Sequence, residues 1–580
     1  MSRLQPKGIF SDSSSATSRK KMAFVAALEV SLLGLIIASF VGYPPPDVNE
    51  SHYLVKAKHF WDAQWCSRDL FLTSSSPHWL FYLCFGWMTA WLTLEQFAWV
   101  GRLLVWMGLA FSWRRLNLMI FGRPWISTVT ICLYLFFNQH AQLSGEWVVG
   151  GLEAKSVAYI FVLVGLTYLV RGQWASVPLW MGLASGFHLL VGGWALLAAG
   201  FSFLLSRWRS NFQVKPGNRA ENNFNWNQYC SWSWLLGVLM VVASGLPSLL
   251  ADYQTETETR AAASEIYVLV RLPHHLDFRS FPVANMARFG WLVTVAISCS
   301  IYLIARIKTD EAWRNLFWFV IASLLFILPG VTLSAVLEQS AESPAWATSL
   351  LRFYWFRLAD FAIPLLAALS LAKIGVASFG SLRLKRKNQI AIALLICLYL
   401  SLLILFRGNY RDQRPMADQR SLPKFVDDQK NQRYYQNWRQ VCQWIKENTP
   451  AESLFITPHQ QQTFKWYAQR AEVVNWKDIP QDAVAMVEWK SRVDRLILPQ
   501  QRYELGLLSF SDQQILEIAA DYEADYLVVP QWQAQRLEGT ALTQVYPENQ
   551  HQKTTFVVYQ LSPMNLVKEQ LDRGILFINF

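Results

Sequence analysis

Residues 43–78 read YPPPDVNESHYLVKAKHFWDAQWCSRDLFLTSSSPH, a polar stretch hung between two apolar runs at 22–42 and 77–94. Acids, bases, histidines and aromatics crowd this stretch, whereas the runs beside it carry almost no charge. Outward from it lie further apolar segments at about 98–113, 124–138, 153–170, 174–188, 190–206, 232–250, 289–306, 314–331, 353–372 and 389–406. Runs of roughly 15–20 apolar residues have membrane-spanning length. The expected fold is an α-helical polytopic membrane domain of about 11–12 apolar helices, followed by a small extracytoplasmic α/β domain.

Composition agrees. Of 580 residues, 53% are hydrophobic and 16% charged, too apolar for several soluble domains of that length. The net charge of +11 sits in short loops, at Arg19-Lys20-Lys21, Arg114-Arg115, Arg207 and Arg209, and Arg383 to Lys387. That is the positive-inside pattern, which marks cytoplasmic loops and touches anionic lipid. No basic stripe with interleaved aromatics points to nucleic acid. The seven cysteines form no disulfide framework or CxxC spacing, and Cys66 and Cys442 are the pair placed to bridge outside the cytoplasm.

Residues 1–21 read as a Ser-rich, basic cytoplasmic tail, 22–406 as the multi-pass domain with its first outer loop at 43–76, and 407–580 as the outer α/β domain. The run 22–42 is too long for a signal segment and reads as a retained anchor. Three apolar runs separate the outer loop 43–76 from the polar segment 139–152. Both can lie outside only if one run does not cross. Arg114, Arg115 and Arg123 hold the end of 98–113 inside, so 77–94 is expected to be re-entrant or interfacial, leaving eleven crossings. The short runs 174–188 and 190–206 meet around Gly186, His188, Gly192 and Gly193. They either line a cleft open to the outer leaflet or pack closely through their glycines.

After residue 406 the chain turns polar. Residues 431–449 predict an amphipathic helix, 453–458, 471–476, 524–530 and 556–561 strands, and 482–496 a helix, an alternation that indicates an α/β domain. No GxGxxG or P-loop accompanies it.

Several outer segments hold residues suited to chemistry. Asp47, Glu50 and Tyr53 have the spacing of one helical face, where a buried or metal-tuned carboxylate acts as a general base. Asp47-x-x-Glu50 is equally a capping box. His52, His59, Asp62, Asp69 and His78 share the loop and offer oxygen and imidazole donors to a divalent cation. In SGEWVVGGLEAKSVAY (144–159), Glu146 and Glu153 suit the start of a helix, but Lys155 does not unless an anion faces it; Glu153 or a substrate phosphate would serve. In YVLVRLPHHLDFRSF (267–281), Arg271, His274, His275 and Arg279 gather donors for an anionic head group, and the His pair also suits a metal. In LRFYWFRLAD (351–360), Arg357 falls a turn inside an apolar helix, with Asp360 as structural partner or a phosphate as ligand.

The chain resembles the GT-C superfamily of polyprenol-phosphate-dependent membrane glycosyltransferases. PDVNESHY after the first helix, GEWVVGGLEAK in the next outer loop and the tail entry WRQVCQWIKENTPAESLFITP carry the likeness. It implies a transferase on the outer face of a bacterial inner membrane, N-terminus cytoplasmic, moving a sugar from a polyprenyl-phosphate carrier to an acceptor. Asp47 or Glu50 would be catalytic base or metal ligand, and Glu146 and Glu153 the second acidic site. Lys155, Arg271 and Arg357 would bind the carrier phosphate. A divalent cation, Mg or Mn, would sit with Asp47, Glu50, His274 and His275. The second site is not a DxD, and no WWDYG-type motif is present, the nearest stretch being FKWYAQR at 464–470. The rival class is a non-catalytic membrane protein, a lipid or polymer transporter or a scaffold subunit.

Overall fold

Six helical segments among the described residues are long and apolar enough to cross a membrane: Arg19–Val41, Leu189–Arg209, Trp232–Gln254, Val283–Arg306, Glu311–Gln339 and Arg357–Ser378. A seventh is the pair Leu94–Phe121 and Ile126–His140, bent by 115°. They come from a computed structural model that describes residues 16–213, 232–306, 311–379, 389–390, 392, 394–398, 400–401, 414–458, 460–496, 512–534, 537, 542–548 and 554–561. Most of the N-terminal tail, Arg383 to Lys387 and the end of the 389–406 run lie outside these residues. On Trp232–Gln254 the side chains of Leu235, Leu239, Val242, Leu246 and Leu249 stay exposed, as lipid-facing positions do. The chain is a multi-pass membrane protein with a helical membrane domain followed by a small sheet domain.

Six or seven candidate spans among the described residues are fewer than the eleven crossings expected, and individual stretches differ from the expected drawing as well. Arg114 and Arg115 lie within the helix Leu94–Phe121 and not in a loop after it. Arg114 donates at 2.8 Å to Glu29, a fully buried acid of the first helix, and Arg115 at 3.2 Å to the Tyr168 hydroxyl. The 77–94 run forms only the short helical stretch Trp79–Ala90. At 1.5 Å per residue such a stretch spans well under the hydrocarbon core of about 30 Å.

Of the two roles the sequence left open for the glycine-rich pair, close packing is the one observed. A Cβ on Gly182 would stand 2.1 Å from the Gly237 carbonyl oxygen, and one on Gly192 2.1 Å from the Ser185 nitrogen, so these glycines permit backbone contact. Between the helices Val177–Phe187 and Leu189–Gln213, His188 takes extended backbone and turns its ring into the site described below.

In the C-terminal domain, β1 (Leu454–Ile456), β2 (Ala471–Glu472), β3 (Tyr526–Pro530), β4 (Thr543–Tyr546) and β5 (Phe556–Gln560) form one sheet in the order β2-β1-β3-β5-β4. β1 runs parallel to β2 and β3, while β5 runs antiparallel to β3 and β4. The helix Asp428–Asn448 buries Tyr434, Trp438, Val441, Cys442 and Ile445, one stripe at helical spacing, against Phe455, Val528 and Phe556. Cys442 is thus core, and both it and Cys66 are free thiols, so the bridge between them is not made. The predicted strand 471–476 shrinks to two residues, and 473–478 become a connecting segment.

This domain is clamped to the first loop by a buried ion cluster. Lys465 stands 2.7 Å from Glu472, 2.7 Å from Asp478 and 3.1 Å from Asp69, and Asp478 also meets His52 at 3.0 Å. Burial pushes the Glu472 carboxyl up to about 7, while the Lys465 charge and the His52 hydrogen bond hold Asp478 well below the usual range against the opposing effect of burial.

Candidate functional site

The first loop is built by its own polar groups. Glu50 opens the helix Glu50–Trp61, and its carboxylate reaches back to the Asp47 amide at 2.7 Å, half of the predicted capping box. The Asp47 side chain does not complete the box. It precedes the helix and accepts from the Val48 amide at 2.7 Å and the Gly151 amide at 2.8 Å. Further on, the buried Lys56 ammonium donates to the carbonyls of Phe71 (2.5 Å), Leu72 (3.1 Å) and Ser74 (2.9 Å), satisfying the end of the short helix Leu70–Thr73.

The two acids separate in role. Glu50 is fully buried, with Arg102 on both oxygens at 2.7 and 2.5 Å and the Leu152 amide at 2.7 Å. With the Asp47 amide as a fourth donor its oxygens are fully engaged, which favours Asp47 over Glu50 as the candidate base. Arg102, hidden in an apolar run, is the residue that sequence reasoning missed. Asp47 remains half-buried and keeps unused lone pairs. Burial and the neighbouring Glu50 charge push its carboxyl above the ordinary range, against the pull of Arg102 and its two backbone donors.

The second acidic segment folds against the first. Gly150 and Gly151 let it approach closely: a Cβ on Gly151 would lie 2.6 Å from the Glu50 carboxyl carbon and 2.8 Å from the Asp47 Cβ. Asp360 fixes the other end of this loop, accepting from the amides of Leu143 (2.6 Å), Ser144 (2.9 Å) and Glu146 (3.1 Å). Asp360 is therefore not the partner of Arg357. That partner is Glu146, whose Oε2 lies 3.3 Å from Arg357 Nε.

Around Glu146 the predicted residues converge. Lys155 Nζ stands 3.7 Å from Glu146 and 3.6 Å from Glu153, and 3.9 Å above the Trp147 ring. Glu153 also accepts from Asn49 at 3.1 Å and Trp147 at 3.3 Å, and burial raises its carboxyl's pKa. Arg357 is the first residue of its spanning helix and not a turn inside it. A cation there opposes the helix dipole, which Glu146 offsets. Its guanidinium lies 3.8 Å over Tyr354, a residue at φ +55° whose hydroxyl meets that of Tyr267 at 3.1 Å. Non-glycine residues in that left-handed region concentrate at functional sites.

Arg357 Nη1 donates at 3.3 Å to His188 Nε2. Guanidinium only donates, so His188 carries its proton on Nδ1. Both His188 and Arg357 are more than nine-tenths buried, yet among the described residues His188 Nδ1 and Arg357 Nε have no hydrogen-bond acceptor. His78 packs tilted against His188, ring centroids 4.8 Å apart, and meets the Tyr53 hydroxyl at 3.3 Å; burial pushes its ring down to about 4.

The remaining candidates are held elsewhere. Arg271 ends a π-helical turn, Ile266–Arg271, and donates to the Trp476 carbonyl at 2.9 Å. Arg279 pairs with Asp277 at 2.7 Å. His275 bonds the Ser144 carbonyl, and burial pushes its ring down to about 3. His59 bonds the Trp65 carbonyl at 2.8 Å. Among the described residues no three His, Cys, Asp or Glu side chains form a metal-ligand group, so Asp47, Glu50, His274 and His275 do not combine into one. That donor set does not fit a divalent cation.

A family described as a domain of unknown function, DUF6798, matches residues 436–496, within the C-terminal domain. No curated protein matches the chain. Among solved structures, the apo oligosaccharyltransferase of Archaeoglobus fulgidus is 11% identical with a TM-score of 0.42, over 88% of this chain and 69% of that one. The archaeal oligosaccharyltransferase AglB from Archaeoglobus fulgidus, in complex with an inhibitory peptide and a dolichol-phosphate, gives 10% and 0.38 over 95% and 75%. ArnT from Cupriavidus metallidurans bound to undecaprenyl phosphate gives 12% and 0.34 over 95% and 99%. At these values the likeness is loose, and the reading of the site rests on its own geometry.

Proposed function

We propose that the chain is a membrane glycosyltransferase that moves a sugar from a polyprenyl-phosphate carrier to an acceptor at the outer face of a bacterial inner membrane. The observation that carries this reading is the convergence of buried donors, with His188 Nδ1 lacking a hydrogen-bond acceptor among the described residues and Arg357 Nε held by its ion pair to Glu146, beside Lys155 and in one network with the half-buried Asp47. A buried donor without an acceptor is costly and points to an oxygen-rich ligand. An inverting transfer uses each group. Asp47 takes the proton of the acceptor hydroxyl as its oxygen bonds the sugar's anomeric carbon. The bond from that carbon to the phosphate oxygen breaks, and its electron pair leaves on the phosphate, where Arg357, Lys155 and His188 stabilise the charge.

A second reading has its own support. Glu146 and Glu153 already neutralise Lys155, as a purely structural lock between outer loops would. Mass spectrometry of lipids co-purified in mild detergent separates the two. The transferase reading expects a polyprenyl phosphate, bare or glycosylated, on wild-type protein and none on folded Arg357→Ala. Bulk phospholipid alone on both would favour the structural lock.

A further inference from the structure

The outer domain meets the membrane site through four consecutive residues, Asn475 to Asp478, in the segment that leaves β2. Each is fixed to a different neighbour. The Asn475 carbonyl accepts from Trp489 at 2.9 Å, and its side chain turns back to the Lys477 amide at 2.7 Å. The Trp476 carbonyl accepts from Arg271 on the π-helical turn, and its ring packs on Trp489 at 5.4 Å. Asp478 is held by His52 and Lys465. Between these anchors Lys477 extends toward the membrane domain and donates to Asn49 Oδ1 at 2.7 Å. The other end of that same amide donates to Glu153, the acid beside Lys155.

The segment therefore delivers a third cation to the edge of the Arg357–Lys155 cluster. An ammonium has three N–H donors, and among the described residues Asn49 Oδ1 is its hydrogen-bond acceptor. The residue as a whole is half-buried. Burial and Arg271 together push its ammonium down to about 7, against Glu153 and Asp478, with Lys155 adding to the repulsion. His274 on the neighbouring outer turn and His52 on the first-loop helix feel its charge as well. A lysine so placed gains most from an arriving anion.

We propose that Lys477 is a ligand-binding residue of the membrane site, contacting the phosphate of the anionic lipid held by Arg357 and Lys155, so that the α/β domain completes the site when docked. The inference rests on the carrier-phosphate reading above and assigns this segment of the DUF6798-matched region a direct part in binding.

The test uses full-length protein in detergent, with a synthetic polyprenyl monophosphate and the uncharged polyprenol of the same chain length as probes. Wild type is expected to prefer the monophosphate. Lys477→Gln should weaken the monophosphate by about tenfold, the scale of one lost charge-assisted hydrogen bond, and leave polyprenol binding and the thermal midpoint unchanged. Lys477→Arg should restore affinity and remove the loss that wild type shows as pH rises above about 7. If Lys477→Gln binds the monophosphate like wild type while Arg357→Gln does not, Lys477 has no such part and the carrier reading stands. If Lys477→Gln weakens both probes and lowers the midpoint, Lys477 is a docking residue only and the proposal fails. If wild type itself does not distinguish the probes, the carrier reading falls.

Discussion

Arg102 grips both oxygens of Glu50, at 2.5 and 2.7 Å, with neither side chain exposed. Removing one member of a buried pair strands the other, at a typical cost of about 3–5 kcal/mol. Glu50→Gln and Arg102→Gln should each lower the thermal midpoint in detergent sharply. Glu50→Leu combined with Arg102→Leu should cost less than the sum of the two single leucine variants. Additive losses would show that the two are not coupled.

Asp47 carries the opposite expectation. Asp47→Asn leaves one of the Val48 and Gly151 amides without its acceptor, at about 1–3 kcal/mol and less than breaking the Glu50–Arg102 pair, and should cut sugar transfer by about 10²–10⁴-fold, the usual contribution of a general base. Its carboxylate must be ionised to accept a proton, and burial raises its pKa. Wild-type transfer should therefore fall with decreasing pH, starting above the ordinary carboxylate value of 3.8. Asp47→Asn protein with full activity would remove Asp47 from the mechanism.

Gly151→Ala places a methyl group 2.6 Å from the Glu50 carboxyl carbon, which cannot yield because Arg102 holds it. The loop must shift, the Gly151 amide must leave Asp47, and both stability and transfer should drop. Gly193→Ala, where nothing lies within 4 Å of the new methyl, is the matched control and should behave as wild type.

Asp360→Asn replaces an acceptor of three backbone amides with a group that also donates. At least one amide then loses its partner, at about 1–3 kcal/mol. Glu146 is freed from its fixed position under Arg357, so retention of a polyprenyl phosphate should weaken more than the fall in midpoint alone explains. Comparing lipid retention at a temperature well below both midpoints checks this.

The C-terminal domain's anchor should respond to pH through Glu472. Its folded carboxyl lies near 7, above its ordinary 4.5, so the folded state holds a proton there that the unfolded state has released. That contribution is complete below about 4.5 and lost as pH rises through about 7. The midpoint of docking, followed by limited proteolysis, should fall across this window in wild type. In Glu472→Gln, which has no carboxyl to titrate, the fall should be absent.

Much of this site could be read from local pattern. Charge-poor runs marked the membrane helices, polar segments between them held Asp47 and Glu146, and the starts of two apolar runs held Glu153, Lys155 and Arg357; Glu146 and these three share one cluster. Pairings across long stretches could not be read. Arg102 looked like one charge in an apolar run, because its partner Glu50 lies 52 residues away. Asp360 looked like the partner of Arg357 because i+3 spacing favours it, whereas its acceptors bind amides more than two hundred residues earlier. Lys477 sits in no motif and gains its place through strand packing around β2. Helix ends were misjudged for a related reason: Arg114 reads as a loop charge unless buried Glu29 is known to face it.

The backbone amides of Gly151 and Leu152 that receive Asp47 and Glu50 follow those acids by 104 and 102 residues. During synthesis at about 5–20 residues per second, the first loop must wait several seconds before its partners emerge. Throughout that interval two carboxylates stand at the membrane surface with no protein donor from the second loop, and Arg102 is the earlier of their partners to arrive. The helix that bears Arg102 thus supplies the first latch on Glu50, 52 residues after it, before the second loop can close on Asp47.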